Sequence, residues 1–368
     1  MSVSAGSGVA KKPRYAWVDF AKGLCMVLVV LYHLSLWVET EVESGPWLWW
    51  IVSDALNPLR MPLFFFISGY LSISSLRHPL DQTRSRTVGL YFVYILWTGM
   101  FLLRRWLPFL STDTPPELHQ LGLSLILPTS FWYLYALPLF FLVTKILLRL
   151  LGTHSVYALI PVALISALAP LVQPYTSTIL GEPFDAAKIP SVLANFLWFY
   201  LGVHGTALWT RLSARPGYPM LVGALSLYAA MYSVMTLFKL ELFLETALSL
   251  LALFATAQLV SRISMETTVS RGLRNIGSQT LPVYIFHIIL ISVLSAAVKL
   301  TGLMPFLRDV PGLAAALVPP LLVMPLILIC LLAGRLIKGS RLRWLLEAPT
   351  FLVKTREGRK PQSKEEIH

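Results

Sequence analysis

Lys22 and His33 are separated by ten residues inside one apolar stretch, Ala16 to Val38, and Asp19 stands three residues before the lysine. An α-helix turns about 100° per residue, so eleven steps bring Lys22 and His33 to within about 20° of one face and roughly 16 Å apart along the axis. Asp19 falls about 40° to one side of that line. A carboxylate, an ammonium and an imidazole thus share a stripe of a helix long enough to span a bilayer. Ionisable groups in hydrocarbon are costly, so they face a bundle interior or a watery cavity and mark functional sites by default. A neutral imidazole titrates near physiological pH and can take a proton from a hydroxyl. The bland alternatives are a structural histidine bonded to a neighbouring helix, and an Asp19–Lys22 pair snorkelling to the interface.

Further chemistry lies beyond the first helix. Arg60 opens the phrase Arg60-Met-Pro-Leu-Phe-Phe-Phe-Ile-Ser68-Gly69-Tyr70. A guanidinium stays charged and needs a partner or water, and Asp54 is one candidate partner. It is expected toward the outer side, at a depth similar to that of His33. Ser68 and Gly69 allow another backbone or a ligand to approach closely, or serve ordinary helix packing. Arg84 and Arg86 begin the third apolar run; they read either as topology signals or as phosphate contacts. Trp132, in Phe131-Trp-Tyr-Leu-Tyr135, suits an aromatic interface belt or a sugar-stacking platform. His287 closes Tyr284-Ile-Phe-His287 and is expected near the cytoplasmic end of its span. No metal site is expected, because the chain holds no HExxH and no Cys/His cluster; it also lacks a Walker loop, a GxGxxG and a GxSxG elbow.

The elements that must hold these residues follow from composition. Of 368 residues 56% are hydrophobic and 13% charged, where a soluble domain carries about 25% charged. The expected fold is all-α: a polytopic membrane helix bundle of about ten transmembrane helices. The spans read as 16–38, 48–76, 87–109, 130–151, 156–173, 190–210, 218–236, 241–261, 280–300 and 313–337. Pro58 and Pro62 divide the second into an interfacial helix and a membrane helix. The basic N-terminus followed by an apolar run could suggest a cleaved signal. The charges within that run, and the lack of a small-residue cleavage site, favour an uncleaved first helix. Most of the 30 lysines and arginines fall in alternate loops on the side of the N-terminus; the other side has only Arg104, Arg105, Lys188, Lys239, Lys299 and Arg308. By the positive-inside rule both termini are expected in the cytoplasm. The formal net charge of +12 is then topology, and no nucleic-acid partner is expected. The expected divisions are a cytoplasmic N-terminal segment (1–15), a transmembrane domain (16–340) and a basic cytoplasmic tail (341–368). Cys25 and Cys330 both lie in apolar spans, so no disulfide framework is expected.

Together these residues resemble the acyltransferase-3 family of integral membrane acyltransferases. The resemblance rests on Asp19-Phe-Ala-Lys22-Gly23 through Tyr32-His33 and on Pro62-Leu-Phe-Phe-Phe-Ile-Ser-Gly69-Tyr70, with weaker support from Trp132-Tyr-Leu and Tyr284-Ile-Phe-His287. The branch it is most similar to is that of fucose-type sugar O-acetyltransferases. Two positions depart: Lys22 stands where the family usually has Arg, and Arg60 where that branch often has His. The resemblance implies transfer of an acyl group, most often acetyl, from a cytoplasmic acetyl-CoA or other acyl-CoA to a hydroxyl of an extracytoplasmic glycan or glycolipid. No bound cofactor is implied. His33 would be the base or acyl relay, Asp19 would orient Lys22, and Arg60 would stabilise an oxyanion. Lys22, Arg84 and Arg86 would hold the donor, and Ser68, Trp132 and His287 would contact substrate. The expected location is the cytoplasmic (inner) membrane, crossed many times, with the lipid bilayer as a partner. A proton-coupled small-molecule transporter using the same Asp/Lys/His stripe is the rival reading. Transporters commonly pair two broken helices, and the sequence offers one break, at Pro58–Pro62.

Overall fold

The computed structural model describes residues 16–43, 48–106, 118–175, 188–214 and 217–353. Its helices are α1 (Ala16–Glu41), α2 (Leu48–Ala55), α3 (Asn57–Leu76), α4 (Val88–Leu103), α5 (Leu118–Ile126), α6 (Trp132–Leu151), α7 (Leu159–Leu168), α8 (Lys188–His204), α9 (Thr206–Ala214), α10 (Tyr218–Phe238), α11 (Glu241–Val260), α12 (Thr268–Gly277), α13 (Thr280–Leu300), α14 (Leu303–Asp309), α15 (Pro311–Lys338) and α16 (Thr350–Val353). Short 3-10 turns link some of them, and no strand occurs among the described residues. The protein is an all-α, multi-pass membrane bundle.

Six helical stretches among the described residues are long and apolar enough to cross a membrane, or seven if the bent pair α8–α9 counts as one. Ten were expected. Each expected span contains a helix, but α4, with 16 residues, reaches only about 24 Å against a hydrocarbon core of about 30 Å. The fourth and fifth expected spans fall in one run of 44 residues, Trp132–Tyr175. The expected break in the second span is present: α2 ends at Ala55 and α3 begins at Asn57, with Pro58 in its first turn. A second break, of 74°, separates α8 from α9 at Gly205.

The centre of the bundle is α1, which packs against α2, α3, α12, α13 and α15. Its most apolar window is 61% buried, against 11% for α10, whose side chains mostly face outward. Two pairs of glycines set the tightest contacts. A Cβ on Gly23 would lie 1.9 Å from the Leu273 carbonyl oxygen, and one on Gly277 would lie 1.8 Å from that of Asp19, so α1 and α12 touch backbone to backbone. Gly69 against the Phe199 carbonyl (1.9 Å) and Gly202 against that of Phe66 (2.0 Å) do the same for α3 and α8. Small residues permit this approach in membranes, where packing rather than hydrophobicity drives association.

At the other end of α1, Glu41 pairs with Lys299 at 2.9 Å and Glu43 with Arg308 at 3.0 Å. The positive-inside argument assigned Lys299 and Arg308 to one side, and both pair with carboxylates at this one end of α1. Residues 341–353 do not hang free. Leu346 is buried and the Trp97 indole donates to the Leu345 carbonyl at 2.7 Å, so this part of the expected tail packs on α4. The segment 1–15 and residues 354–368 lie outside the described residues.

Gly69→Ala forces a methyl group into the Phe199 carbonyl. We expect it to cost about 1–3 kcal/mol, as overpacking does, read as a lowered melting temperature in detergent. Gly223→Ala, with nothing within 4 Å of the new carbon, is expected to show no loss. Equal melting of the two variants contradicts the close-packing account.

Candidate active site

Two histidines meet at the heart of the bundle. The His33 and His287 rings lie 4.9 Å apart, edge to face at 71°. His33 Nδ1 bonds the Val29 carbonyl at 2.8 Å, and His287 Nδ1 bonds the Val283 carbonyl at 2.8 Å, each one helical turn back. A carbonyl only accepts, so both Nδ1 atoms carry a proton, and in the neutral rings each Nε2 then keeps a lone pair. His287 is fully buried, and its Nε2 finds no hydrogen-bond partner among the described residues.

On sequence alone His287 fell near the cytoplasmic end of its span and His33 in the outer half. The two meet because α12 fixes the depth of α13. Gly277 already abuts Asp19 and Gly23, so α13 starts inside the bundle and seven further residues raise His287 to the level of His33.

The histidines line an outer chamber of about 620 Å³, with Tyr32, Asn57, Arg60, Trp132, Tyr133, Lys188, Asn195, Trp198, Glu245 and Tyr284 among its walls. Arg60 is buried. Its guanidinium donates to Asn57 Oδ1 at 3.0 Å and to the Ser53 carbonyl at 3.4 Å, and lies 4.3 Å from the centre of the Tyr32 ring. Asp54 accepts instead from the Tyr232 hydroxyl at 2.7 Å. No carboxylate forms an ion pair with Arg60 among the described residues, which leaves a buried cation facing the chamber on neutral oxygens and an aromatic face.

A second, inner chamber of about 220 Å³ is lined by Lys22, Ser68, Leu71, Ser72 and Arg86, among others. Arg86 donates to Ser72 Oγ and to the Leu71 carbonyl, both at 3.1 Å. Burial pushes its guanidinium down from its ordinary value; a group that starts so high stays protonated at neutral pH. Phe64, Tyr133 and Tyr284 line both chambers and form the wall between them.

Of the residues singled out in the sequence, the outer chamber therefore gathers His33, Arg60, Trp132 and His287, and the inner one Lys22, Ser68 and Arg86. Asp19 is buried in the first turn of α1 and Arg84 is exposed; neither lines a chamber. Sequence reasoning missed Glu245 and Asn195, which sit in apolar spans and obey the rule that picked out His33. It also missed Tyr133 and Tyr284 as a wall, since that depends on rings from two helices meeting. No group of three His, Cys, Asp or Glu among the described residues could hold a metal ion.

The pattern described as an acyltransferase domain, Acyl_transf_3, matches residues 15–345. The inner membrane protein YcfT of Escherichia coli K12 is 28% identical over 366 residues, covering 89% of this chain and 93% of YcfT. Glucans biosynthesis protein C of Salmonella paratyphi B and of Salmonella heidelberg is 36% identical over 76 residues, which is 19% of this chain and 20% of each relative. No solved structure matches the chain.

The tautomer is measurable. With nitrogen-15 histidine, the rings of His33 and His287, assigned through His33→Gln and His287→Gln, should both show a proton on Nδ1 and a free lone pair on Nε2 at neutral pH. A proton on Nε2 of His33 contradicts the assignment.

Proposed function

Because the chain belongs to the acyltransferase-3 family, with the domain covering residues 15–345, we propose that it is an inner-membrane O-acyltransferase. It moves an acyl group, acetyl in the simplest case, from a cytoplasmic acyl-CoA to a hydroxyl of an extracytoplasmic glycan or glycolipid. One observation carries this reading. A histidine pair, each ring tied through Nδ1 to a backbone carbonyl, and a cationic pair, Lys22 and Arg86, occupy two chambers that share one wall. The names of the relatives, inner membrane protein and glucans biosynthesis protein C, support the location and a saccharide acceptor.

The chemistry follows from the groups present. Lys22 and Arg86 hold the donor's phosphates, Arg86 with a planar fork and Lys22 as a point charge. Arg84, exposed at the same end, gives a first contact. Asp19, buried three residues before Lys22, sets the position of the ammonium. The distance from Lys22 to His33 is roughly 16 Å along α1, so the phosphates stay in the inner chamber while the thioester, on its long arm, reaches the outer one. There the acceptor hydroxyl lies beside His33, against the aromatic face of Trp132. His33 Nε2 takes the hydroxyl proton as the oxygen bonds to the thioester carbonyl carbon. The carbonyl oxygen gathers negative charge, and Arg60, which has no carboxylate partner among the described residues, meets it. The carbon–sulfur bond then breaks, the ester is left on the acceptor, and the His33 imidazolium returns its proton to the departing thiolate. His287 packs against His33 and holds its ring in position.

The test uses membranes with equal amounts of wild type or variant, supplied with radiolabelled acetyl-CoA. Label should enter the extracytoplasmic glycan fraction with wild type and fall about 10²–10⁴-fold with His33→Ala, the range for loss of a general base. Lys22→Ala should raise the donor KM with a smaller change in kcat. Equal incorporation by wild type and His33→Ala removes His33 from the chemistry. An unchanged donor KM in Lys22→Ala removes Lys22 from the donor site.

A further inference from the structure

The wall between the chambers is a built object. Phe64 comes from α3, Tyr133 from α6 and Tyr284 from α13. The Phe64 and Tyr133 rings meet at 4.9 Å and 87°, and the Tyr133 and Tyr284 rings at 5.4 Å and 57°. Hydrogen bonds lock the stack. Ser68 Oγ donates to the Phe64 carbonyl at 2.8 Å, which uses its only proton. The contact of 3.0 Å between Ser68 Oγ and the Tyr133 hydroxyl therefore has Tyr133 as donor. Tyr133 sits in the first turn of α6, where a backbone N–H has no partner within its helix; it donates to the Tyr284 hydroxyl at 3.2 Å. Tyr133 thus takes part in all of these contacts that join α3 to α13 across the wall.

We infer that Tyr133 is the specificity-determining residue for the acyl group. This rests on the reading of the inner chamber as the donor site and the outer one as the acceptor site. An acyl chain anchored beside Lys22 and Arg86 reaches His33 only past Tyr133. When Tyr133 leaves Ser68 and turns aside, Phe64 and Tyr284 remain and bound the gap. A thin arm bearing a short acyl group passes, and a long or branched acyl group meets two aromatic rings. The same wall keeps the donor's charged phosphates out of the outer chamber.

Two measurements on the full-length protein in sealed vesicles test this. The first uses a background with Cys25→Ala and Cys330→Ala, bearing either Met61→Cys in the outer chamber or Leu71→Cys in the inner one. A small, charged methanethiosulfonate is added to one face at a time. Each reporter should react from one face only, and the two from opposite faces. With Tyr133→Ala both should react from both faces, each gaining at least about tenfold in rate from the formerly closed side. The second measurement is competition between octanoyl-CoA and acetyl-CoA. Tyr133→Ala should raise the octanoyl-to-acetyl transfer ratio at least about tenfold, within the range that a few methylenes give in an apolar pocket. Tyr133→Phe keeps the bulk and loses the latch, and should leave the ratio near that of the parent. Its expression controls for misfolding of the alanine variant.

If Tyr133→Ala changes neither the sidedness nor the ratio, the inference is overturned while the donor and acceptor reading stands. If the sidedness changes as expected but no acyl-CoA is consumed by any form, the donor reading fails and the acyl selection falls with it.

Discussion

Ionisable and polar side chains can live in a membrane only where protein, not lipid, surrounds them. In this bundle that enclosure depends on backbone-to-backbone contact at two crossings: α1 with α12 through Gly23 and Gly277, and α3 with α8 through Gly69 and Gly202. At each crossing the missing Cβ lets a carbonyl oxygen of one helix sit where a side chain would otherwise be. The first crossing sets the depth at which α13 begins, and so the height of His287 against His33. The second brings Ser68 and the aromatic phrase of α3 under α6.

Within that enclosure the aromatic wall divides the polar interior. The lower part of α1 carries Lys22 into the inner chamber, and the upper part carries His33 into the outer one. A lone buried guanidinium such as Arg60 costs several kcal/mol to desolvate. It is held by Asn57, the Ser53 carbonyl and the Tyr32 face, with no carboxylate in contact among the described residues. Arg60 lines the outer chamber, where a cation can meet developing negative charge. The wall of Phe64, Tyr133 and Tyr284 stands between the two chambers, so one helix carries a cation on one side of it and an imidazole on the other.

Much of this was legible in the sequence, and what was not has physical causes. The stripe of α1 could be read because charges stand out in an apolar run, and the α2–α3 break because Pro58 cannot continue a helix that began before it. The meeting of His33 and His287 could not, because it depends on α12. That stretch is rich in polar residues, with Arg271 and Arg274, and reads as a loop; it is an amphipathic helix capped by Thr267, whose hydroxyl accepts from the Ser270 N–H at 3.1 Å. Fewer helices than the ten expected spans are long and apolar enough to cross a membrane among the described residues, because some are shorter than a bilayer, as α4, and others run on through a 3-10 turn, as from α6 into α7. Glu245 was legible and belongs among the candidates on sequence alone: an ionisable residue in an apolar span, now found on the outer chamber.

The central claim is that one ligand spans both chambers through the aromatic wall. The most direct measurement is an electron cryomicroscopy structure of the full chain with a non-transferable acyl-CoA analogue. The account predicts phosphates within hydrogen-bond reach of Lys22 and Arg86, the arm passing between Phe64 and Tyr284 with Tyr133 displaced from Ser68, and the acyl carbonyl beside His33. Phosphates bound in the outer chamber near Arg60 and Lys188, with the wall closed, would contradict it.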